Sequence, residues 1–495
     1  MSAKVRVRIA PSPTGTLHLG TARTALYNYL FAKRHNGTFI LRLEDTDAER
    51  SKDEFTKDIL AGLKWLGLHW DEGPDIGGPY PPYTQTEKED HYQQVANKLI
   101  KNSEAYFSYE TPEELDALRE EQKARNEDSR YDNRGRDLTP EEAKKYQDSG
   151  RIPVIRFKID EPRVVSWKDH VKHEISIDSN RLGGDMVIVK SSGIAVYNFA
   201  VVVDDVDMKI THVIRGEDHI MNTAKQILIY EALEDEPPEF AHAPLIFDLE
   251  RAKLSKRKHG EAVHVDSYRL KGYMPEALVN YLAQMSFTPP ESWKPTDGRE
   301  SNEIFSLEEA CTMFDLDKLS TSPAVFDLQK LDWFNNHWIR RLPLDELRRR
   351  AQDLEFLPHN SEYSDAQLEE MIGAVRGGLT ILSHLPDATD FFFAKNIEVP
   401  SDLKQTVLGA DKASSVLEGT LKGLTQMPWG DHKGCKAVVD GIGKDLGAKG
   451  KDLYWPLRAA LSGKVQGPDL GSIISVLGER RVRERLESVL PCRSV

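Results

Sequence analysis

Two hydrophobic periods follow one another over the first 45 residues. Val5, Val7 and Ile9 alternate with Lys4, Arg6 and Arg8, the period-two pattern of a strand. Prolines and a glycine between 11 and 16 stop it. Residues 22–33 (ARTALYNYLFAK) then predict a helix, and 38–43 (TFILRL) a second strand. Strand, glycine-containing loop, helix and strand make a βαβ opening of nucleotide-binding type. Residues 110–150 carry so much charge (PEELDALREEQKARNEDSR) that solvated helix and loop in an insertion are expected. The α/β pattern then resumes: VIRFKI, MVIVKSS, YNFAVVVDD and ITHVIRGEDH read as strand-rich pieces, and AKQILIYEAL as a helix. Residues 286–303 are broken by Pro and Gly, which predicts an exposed loop. From 304 onward amphipathic helical segments dominate, among them LDELRRRAQDL, LKQTVLGADKASSVLEGTL and LGERRVRERLESVL.

The length, 495 residues, predicts several domains. There are 66 Lys+Arg against 80 Asp+Glu, a formal charge of −14, and mean hydropathy is −0.52. That balance excludes a uniformly basic nucleic-acid coat but leaves room for a local basic groove. No apolar run approaches the ~18 residues of a membrane span. The start, MSAKVRVRIA, does not read as a signal peptide. Three cysteines, Cys311, Cys435 and Cys492, are too few and too scattered for a disulfide framework or a cysteine-rich zinc site. A reducing, cytoplasmic setting is therefore expected.

Three short segments carry candidate chemistry. His18, Leu19, Gly20 and Thr21 sit at the first loop-to-helix junction. There a helix N-terminus offers free N–H groups to phosphate, Gly20 allows close approach, and His18 adds a donor; a capping histidine in a tight turn is the rival reading. Lys253, Leu254, Ser255, Lys256 and Arg257, continued by Lys258 and His259, make a flexible cationic arm suited to a pyrophosphate leaving group, or else a solvated basic loop. Arg42, Leu43, Glu44, Asp45, Thr46 and Asp47 place acids at the C-terminal end of a predicted parallel strand, where ligands of open α/β sheets bind. Val203–Asp204–Asp205 and the run from Arg215 to His219 close two further predicted strands in the same manner. Residues 441–451 (GIGKDLGAKGK) mimic a phosphate loop but fit no G-x-x-x-x-G-K-[ST] pattern. Trp333 and Trp338 at helical spacing read as core. The arginines at 340–341 and 348–350 form a solvated face or a backbone-binding patch.

In order, RIAPSPTGTLHLGTARTALYNYLFA, ILRLEDTD, VDD…VIRGEDHI and KLSKRKHG resemble a class I aminoacyl-tRNA synthetase of the glutamyl, bacterial type. His18 to Thr21 matches the family's HIGH element, and Lys253 to Arg257 its KMSKS element. The resemblance runs the length of the chain. It implies a multidomain α/β and all-α architecture. A Rossmann-like catalytic domain (1–105 and 191–245) would be split by an acceptor-stem-binding insertion (106–190). A stem-contact domain carrying the lysine segment (246–325) and two helical anticodon-binding domains (326–400 and 401–495) would follow.

The same resemblance implies the chemistry: ATP-dependent attachment of L-glutamate to tRNA-Glu through glutamyl-adenylate, with Mg²⁺ accompanying ATP. His18, Gly20, Thr21, Lys253, Ser255, Lys256 and Arg257 match ATP-site positions. Arg8 and Arg215 match holders of the substrate carboxylates, Glu44 the acceptor of the α-ammonium, and Ala10, Ser12 and Tyr197 lining positions. A position that the family often fills with Asn is Val201 here. Some relatives hold zinc in the insertion, but Tyr106–Phe107–Ser108–Tyr109 and Tyr131–Asp132–Asn133–Arg134 contain no cysteine, so a protein without zinc is expected. Gly378 matches an arginine that restricts relatives to tRNA-Glu, which implies charging of tRNA-Gln as well. No membrane partner is expected, and a monomer is.

Overall fold

A computed structural model describes residues 4–46, 50–295, 301–359 and 362–490. Asp47, the middle of the 286–303 loop, and Cys492 with the final PCRSV lie outside them. The described residues form two compact units. One comprises 1–267 and 278–327, the other 268–277 and 328–495.

In the first unit, β1 (Arg6–Ile9) lies parallel to β2 (Thr38–Leu41), joined by the helix Leu19–Arg34. Next come β3 (Ala105–Ser108) and β4 (Val154–Phe157), which pair antiparallel. β5 (Val164–Asp169) and β6 (His173–Asp178) form a hairpin, and β7 (Met186–Val189) pairs antiparallel with β4. β8 (His212–Gly216) and β9 (Glu239–Ala243) are parallel, and β5 extends the sheet along β9. The charged stretch near 110–150 holds two exposed helices, Pro112–Ala124 and Pro140–Asp148. Each begins in a capping box, Thr111 with Glu114 and Thr139 with Glu142, so their termini are satisfied locally.

Two expectations from periodicity need correction. YNFAVVVDD is not a strand: Tyr197–Asp207 is a helix. The valine run misleads because Val201, Val202 and Val203 are buried all round, and a short, fully apolar run has no period to distinguish helix from strand. Asp204 and Asp205 therefore lie within a helix rather than at a strand end. The alternation in β1 does mark a strand, but its polar face is not exposed. Arg6 pairs with Glu72 at 2.7 Å, and Arg8 is buried against Asp205.

The second unit is helical. Its core gathers Leu368, Met371, Phe392, Val416, Leu457, Ile473 and Leu486, among others. The last predicted helix is part of Leu470–Val489, which bends at Gly478, where φ is +70°. The phosphate-loop mimic spans the end of the helix His432–Asp445 and the start of Lys451–Ser462, with no strand ahead of it. Trp338 is core as expected, but Trp333 is exposed and packs against Phe334 and His337. Arg348 pairs with Asp365 and Glu369, and Arg350 with Glu276 and Glu346. Arg348 and Arg350 are thus paired, whereas Arg340 and Arg341 are exposed.

Candidate active site

A cavity of about 530 Å³ opens at the C-terminal ends of β1 and β8. Arg8, Ala10, Ser12, Glu44, Tyr197 and Arg215 line it. So do His18, Gly20 and Thr21 from the first helix, and Lys253, Ser255 and Lys256 from the lysine segment. One expected member is not there: Arg257 is exposed and does not line the cavity. Gly378, expected in an anticodon-binding piece, lies in the helical unit. Val201 is buried and does not line it either.

His18 caps the helix Leu19–Arg34, its Nδ1 accepting from Gly20 N at 3.0 Å. The rival reading of a capping histidine is thus correct as far as it goes, and it fixes the ring. With Nδ1 accepting, the neutral imidazole carries its proton on Nε2. Burial, with His264 and Lys253 nearby, lowers its pKa to about 4. A Cβ on residue 20 would lie 3.3 Å from that Nδ1, which is why glycine suits this position.

The lysine segment is pinned rather than flexible. Leu254 is buried, with its N–H on Ile246 O at 2.8 Å. Lys256–His259 forms a short helix. Asp248 accepts from Lys258 and from His259, each at 2.8 Å. The hydrogen bonds from the Lys258 ammonium and the His259 ring hold the Asp248 carboxyl well below its usual range. Charge downstream of the KLSKR run therefore anchors the segment, while its lysines face the cavity. Lys253 is paired with Asp218 at 3.2 Å, whereas Lys256 has no carboxylate partner among the described residues.

Beneath the opposite wall lies a buried charge network. Arg8 meets Asp205 at 3.1 Å, and Arg42 bridges Asp205 at 2.6 Å and Glu44 at 3.1 Å. Asp204 is enclosed by Lys88, Tyr92 and Gln85 at 2.8 to 2.9 Å. Pairing at this depth offsets the desolvation that unpaired charges would suffer. Burial pushes the Glu44 carboxyl up to about 6, against the pull of Arg42 and Arg8.

Arg215 differs. Its guanidinium donates to Thr223 at 2.7 Å, to Gln226 at 2.8 Å and to His242, all neutral acceptors, and Nη1 is buried without a partner. His242 is itself held by Asp169, Nδ1 to Oδ2, at 2.6 Å. Burial depresses the Arg215 pKa below the ordinary arginine value. An uncompensated buried cation beside a cavity is a receptor for an anion.

Sequence reasoning passed over Arg23, which also lines the cavity with Nε and Nη1 unsatisfied and a bond to Pro244 O. The signal was present: Arg23 interrupts the apolar stripe of Leu19, Leu26 and Leu30.

Comparison with known proteins agrees with this geometry. The model of tRNA synthetases class I (E and Q), catalytic domain, matches residues 4–333, and an anticodon binding domain matches 331–490. The chain is a class I tRNA synthetase of the E and Q family. This synthetase is 45% identical over 487 residues to a glutamate--tRNA ligase of Carboxydothermus hydrogenoformans, covering 97% of the chain and 99% of the relative. It is 44% identical to the glutamate--tRNA ligase of a Synechocystis species, covering 94% and 95%. The crystal structure of an Elizabethkingia meningosepticum glutamate tRNA ligase in complex with its amino acid superposes with a TM-score of 0.86 at 34% identity, covering 98% of this synthetase and 99% of that chain. Among the described residues, no helix of the synthetase is long and apolar enough to cross a membrane.

Proposed function

We propose that the cavity activates L-glutamate with ATP and transfers it to the 3′ end of tRNA-Glu, and also of tRNA-Gln, in the cytoplasm and as a monomer. The observation that carries the reading is the buried, uncompensated Arg215 in one cavity with His18 and Lys256. Glutamate brings two carboxylates and one ammonium. Arg215 offers donors only, so it attracts a carboxylate and opposes an amide NH₂. Glu44 accepts the ammonium. The α-carboxylate, already ionised, attacks the α-phosphorus of ATP and the bond to pyrophosphate breaks. His18 Nε2–H and the helix N-terminus face the phosphates, and Lys256 meets the charge that develops on the leaving group. Were ATP bound as its Mg²⁺ complex, Asp218, which lines the cavity and pairs with Lys253, would offer the oxygen donor that Mg²⁺ prefers. The decisive assay is tRNA-dependent pyrophosphate release with glutamate, with glutamine, and with no amino acid. Release with glutamine at the glutamate rate would refute the specificity.

Between residues 106 and 190, hydroxyls and ion pairs tie the chain together. Tyr131 OH donates to Glu110 at 2.9 Å beneath the Arg156 guanidinium. Tyr106 OH meets Asp185 at 2.7 Å, and Arg136 pairs with the same carboxylate. This network supports the expectation of no zinc there.

A pH dependence follows from Glu44. Its carboxyl, raised to about 6 by burial, must be ionised to accept an ammonium, so the KM for glutamate should climb as pH falls from 7 to 5. The rise should approach about tenfold per pH unit below 6. His18 and His219, both lowered to about 4 chiefly by burial, remain neutral throughout. The charges of free glutamate scarcely change in that window. A flat KM would remove Glu44 from the ammonium site.

Breadth of tRNA choice rests on Gly378. It is exposed in the turn Arg376–Gly378, and a Cβ there would meet nothing within 4 Å. A residue without a side chain neither bonds to one anticodon base nor excludes another. Gly378→Arg should therefore fold normally and lose tRNA-Gln charging by about tenfold or more while keeping tRNA-Glu. Rejection of tRNA-Gln by the parent would overturn the reading.

A further inference from the structure

At the N-terminal ends of β8 and β9, a second cluster of chemistry lies at the opposite end of these strands from the cavity. The parallel register sets His212 opposite Glu239, and Asp169 opposite Phe240, so His170 arrives beside both. The donor atoms of His170, His212 and Glu239 lie within 4.8 Å of one another. His170 Nε2 is 2.8 Å from Glu239 Oε2, and His212 Nε2 is 3.6 Å from Oε1.

The outer nitrogens are also occupied. His170 Nδ1 faces Asp317 Oδ1 at 2.6 Å, and His212 Nδ1 faces Thr211 Oγ1 at 2.8 Å. Thr211 Oγ1 already lies 3.1 Å from Arg6 O, to which it donates, so it accepts from His212 Nδ1–H. A carboxylate only accepts, so His170 Nδ1 donates to Asp317 and, without a metal, Nε2 donates to Glu239; a cation would displace that second proton. Both rings therefore turn Nε2 toward Glu239. Imidazoles oriented by a carboxylate or hydroxyl on the far nitrogen are the arrangement that prepares histidines as metal ligands.

We propose that His170, His212 and Glu239 form a binding site for a divalent cation of the zinc class, with a water as fourth ligand. Two imidazoles and one carboxylate suit zinc or cobalt and disfavour Mg²⁺ and Ca²⁺, which require oxygen donors. The site departs from the expectation of a protein without zinc, which rested on missing cysteines. These ligands come from three separate strand ends and share no sequence spacing. His212 stands two residues before Ile214, the first β8 residue to line the cavity, which places the cation about 7 Å along the strand from the cavity at ~3.3 Å per residue. There it would bind together the ends of β5, β8 and β9 and the Asp317 segment. It takes no part in adenylate chemistry.

The test uses the full-length protein, stripped with a chelator and titrated with Zn²⁺ against a chromophoric indicator, and with Co²⁺ by visible absorption. The parent should bind one equivalent, give the intense d–d bands of a four-coordinate Co²⁺ site, and melt at a higher temperature with Zn²⁺. Glu239→Gln, at an exposed side chain, and His212→Gln should each weaken binding by at least tenfold and abolish the thermal shift. His173→Ala, at an exposed histidine nearby, should change neither. Absence of stoichiometric binding, or equal binding by Glu239→Gln and His212→Gln, would overturn the proposal. A proton shared between His170 and two carboxylates would then account for the cluster.

Discussion

In an Arg215→Met variant, kcat/KM for glutamate should fall by about 10³-fold while the melting temperature holds or rises. A buried, charge-assisted contact to a carboxylate is worth about 4 kcal/mol, and each 1.36 kcal/mol is a factor of ten. The stability half of the expectation runs the other way because nothing in the free protein depends on this charge. Its partners are neutral, Thr223 keeps its bond to His242 at 2.9 Å, and Nη1 is unsatisfied. Removing a buried cation with no counter-ion relieves desolvation. Glutamate activation measured beside thermal melting separates the cases. A variant with near-parental kcat/KM would dismiss Arg215 from substrate binding, and a sharp loss of melting temperature would give it a structural role instead.

Lys256→Ala should reduce the rate of glutamate-dependent ATP–pyrophosphate exchange, measured with tRNA-Glu present, by about 10²–10³-fold and leave the KM for glutamate within about threefold. The ammonium stands at the cavity edge with no carboxylate partner among the described residues. Its field is thus available to charge that appears only in the transition state. Lys253, half-committed to Asp218 at 3.2 Å, cannot replace it fully. A loss confined to KM would place Lys256 in ground-state binding, and an unchanged turnover would refute the role.

The segments 18–21, 42–47 and 253–257 were legible from the sequence because they sit at junctions whose backbone geometry the chemistry demands. Arg8, Ala10, Ser12, Tyr197 and Arg215, by contrast, were implied as site residues only by the family resemblance. His18 and Gly20 need a helix start, and Glu44 needs a strand end. The supporting layer was less legible. Asp205 was noticed as an acid but assigned to a strand, since a run of three valines hides its period; in the helix Tyr197–Asp207 it becomes the brace shared by Arg8 and Arg42. Arg257 looked equivalent to the lysines beside it, yet the short helix Lys256–His259 leaves it outside the cavity. The arm was expected to be flexible because charge runs usually are. What pins it, Asp248, lies outside the motif. The cluster of His170, His212 and Glu239 left no trace in the sequence, because strand register alone assembles it.

The path of the chain between the two units limits how the protein can be dissected. Residues 268–277 belong with the helical unit, although they interrupt the first. Within that unit Met274 N–H donates to Asn335 at 2.7 Å, Glu276 takes both arms of the Arg350 guanidinium at 2.7 and 2.8 Å, and Gly272 O accepts from Leu382 N at 3.1 Å. A fragment expressed from Leu328 onward would leave Asn335, Arg350 and Leu382 N–H without those partners. One ending at Ser267 would strip the first unit of Phe314, which packs on the buried ring of Tyr27. No single scissile point yields two intact halves, so a separately made anticodon module would have to carry a grafted copy of the 268–277 segment.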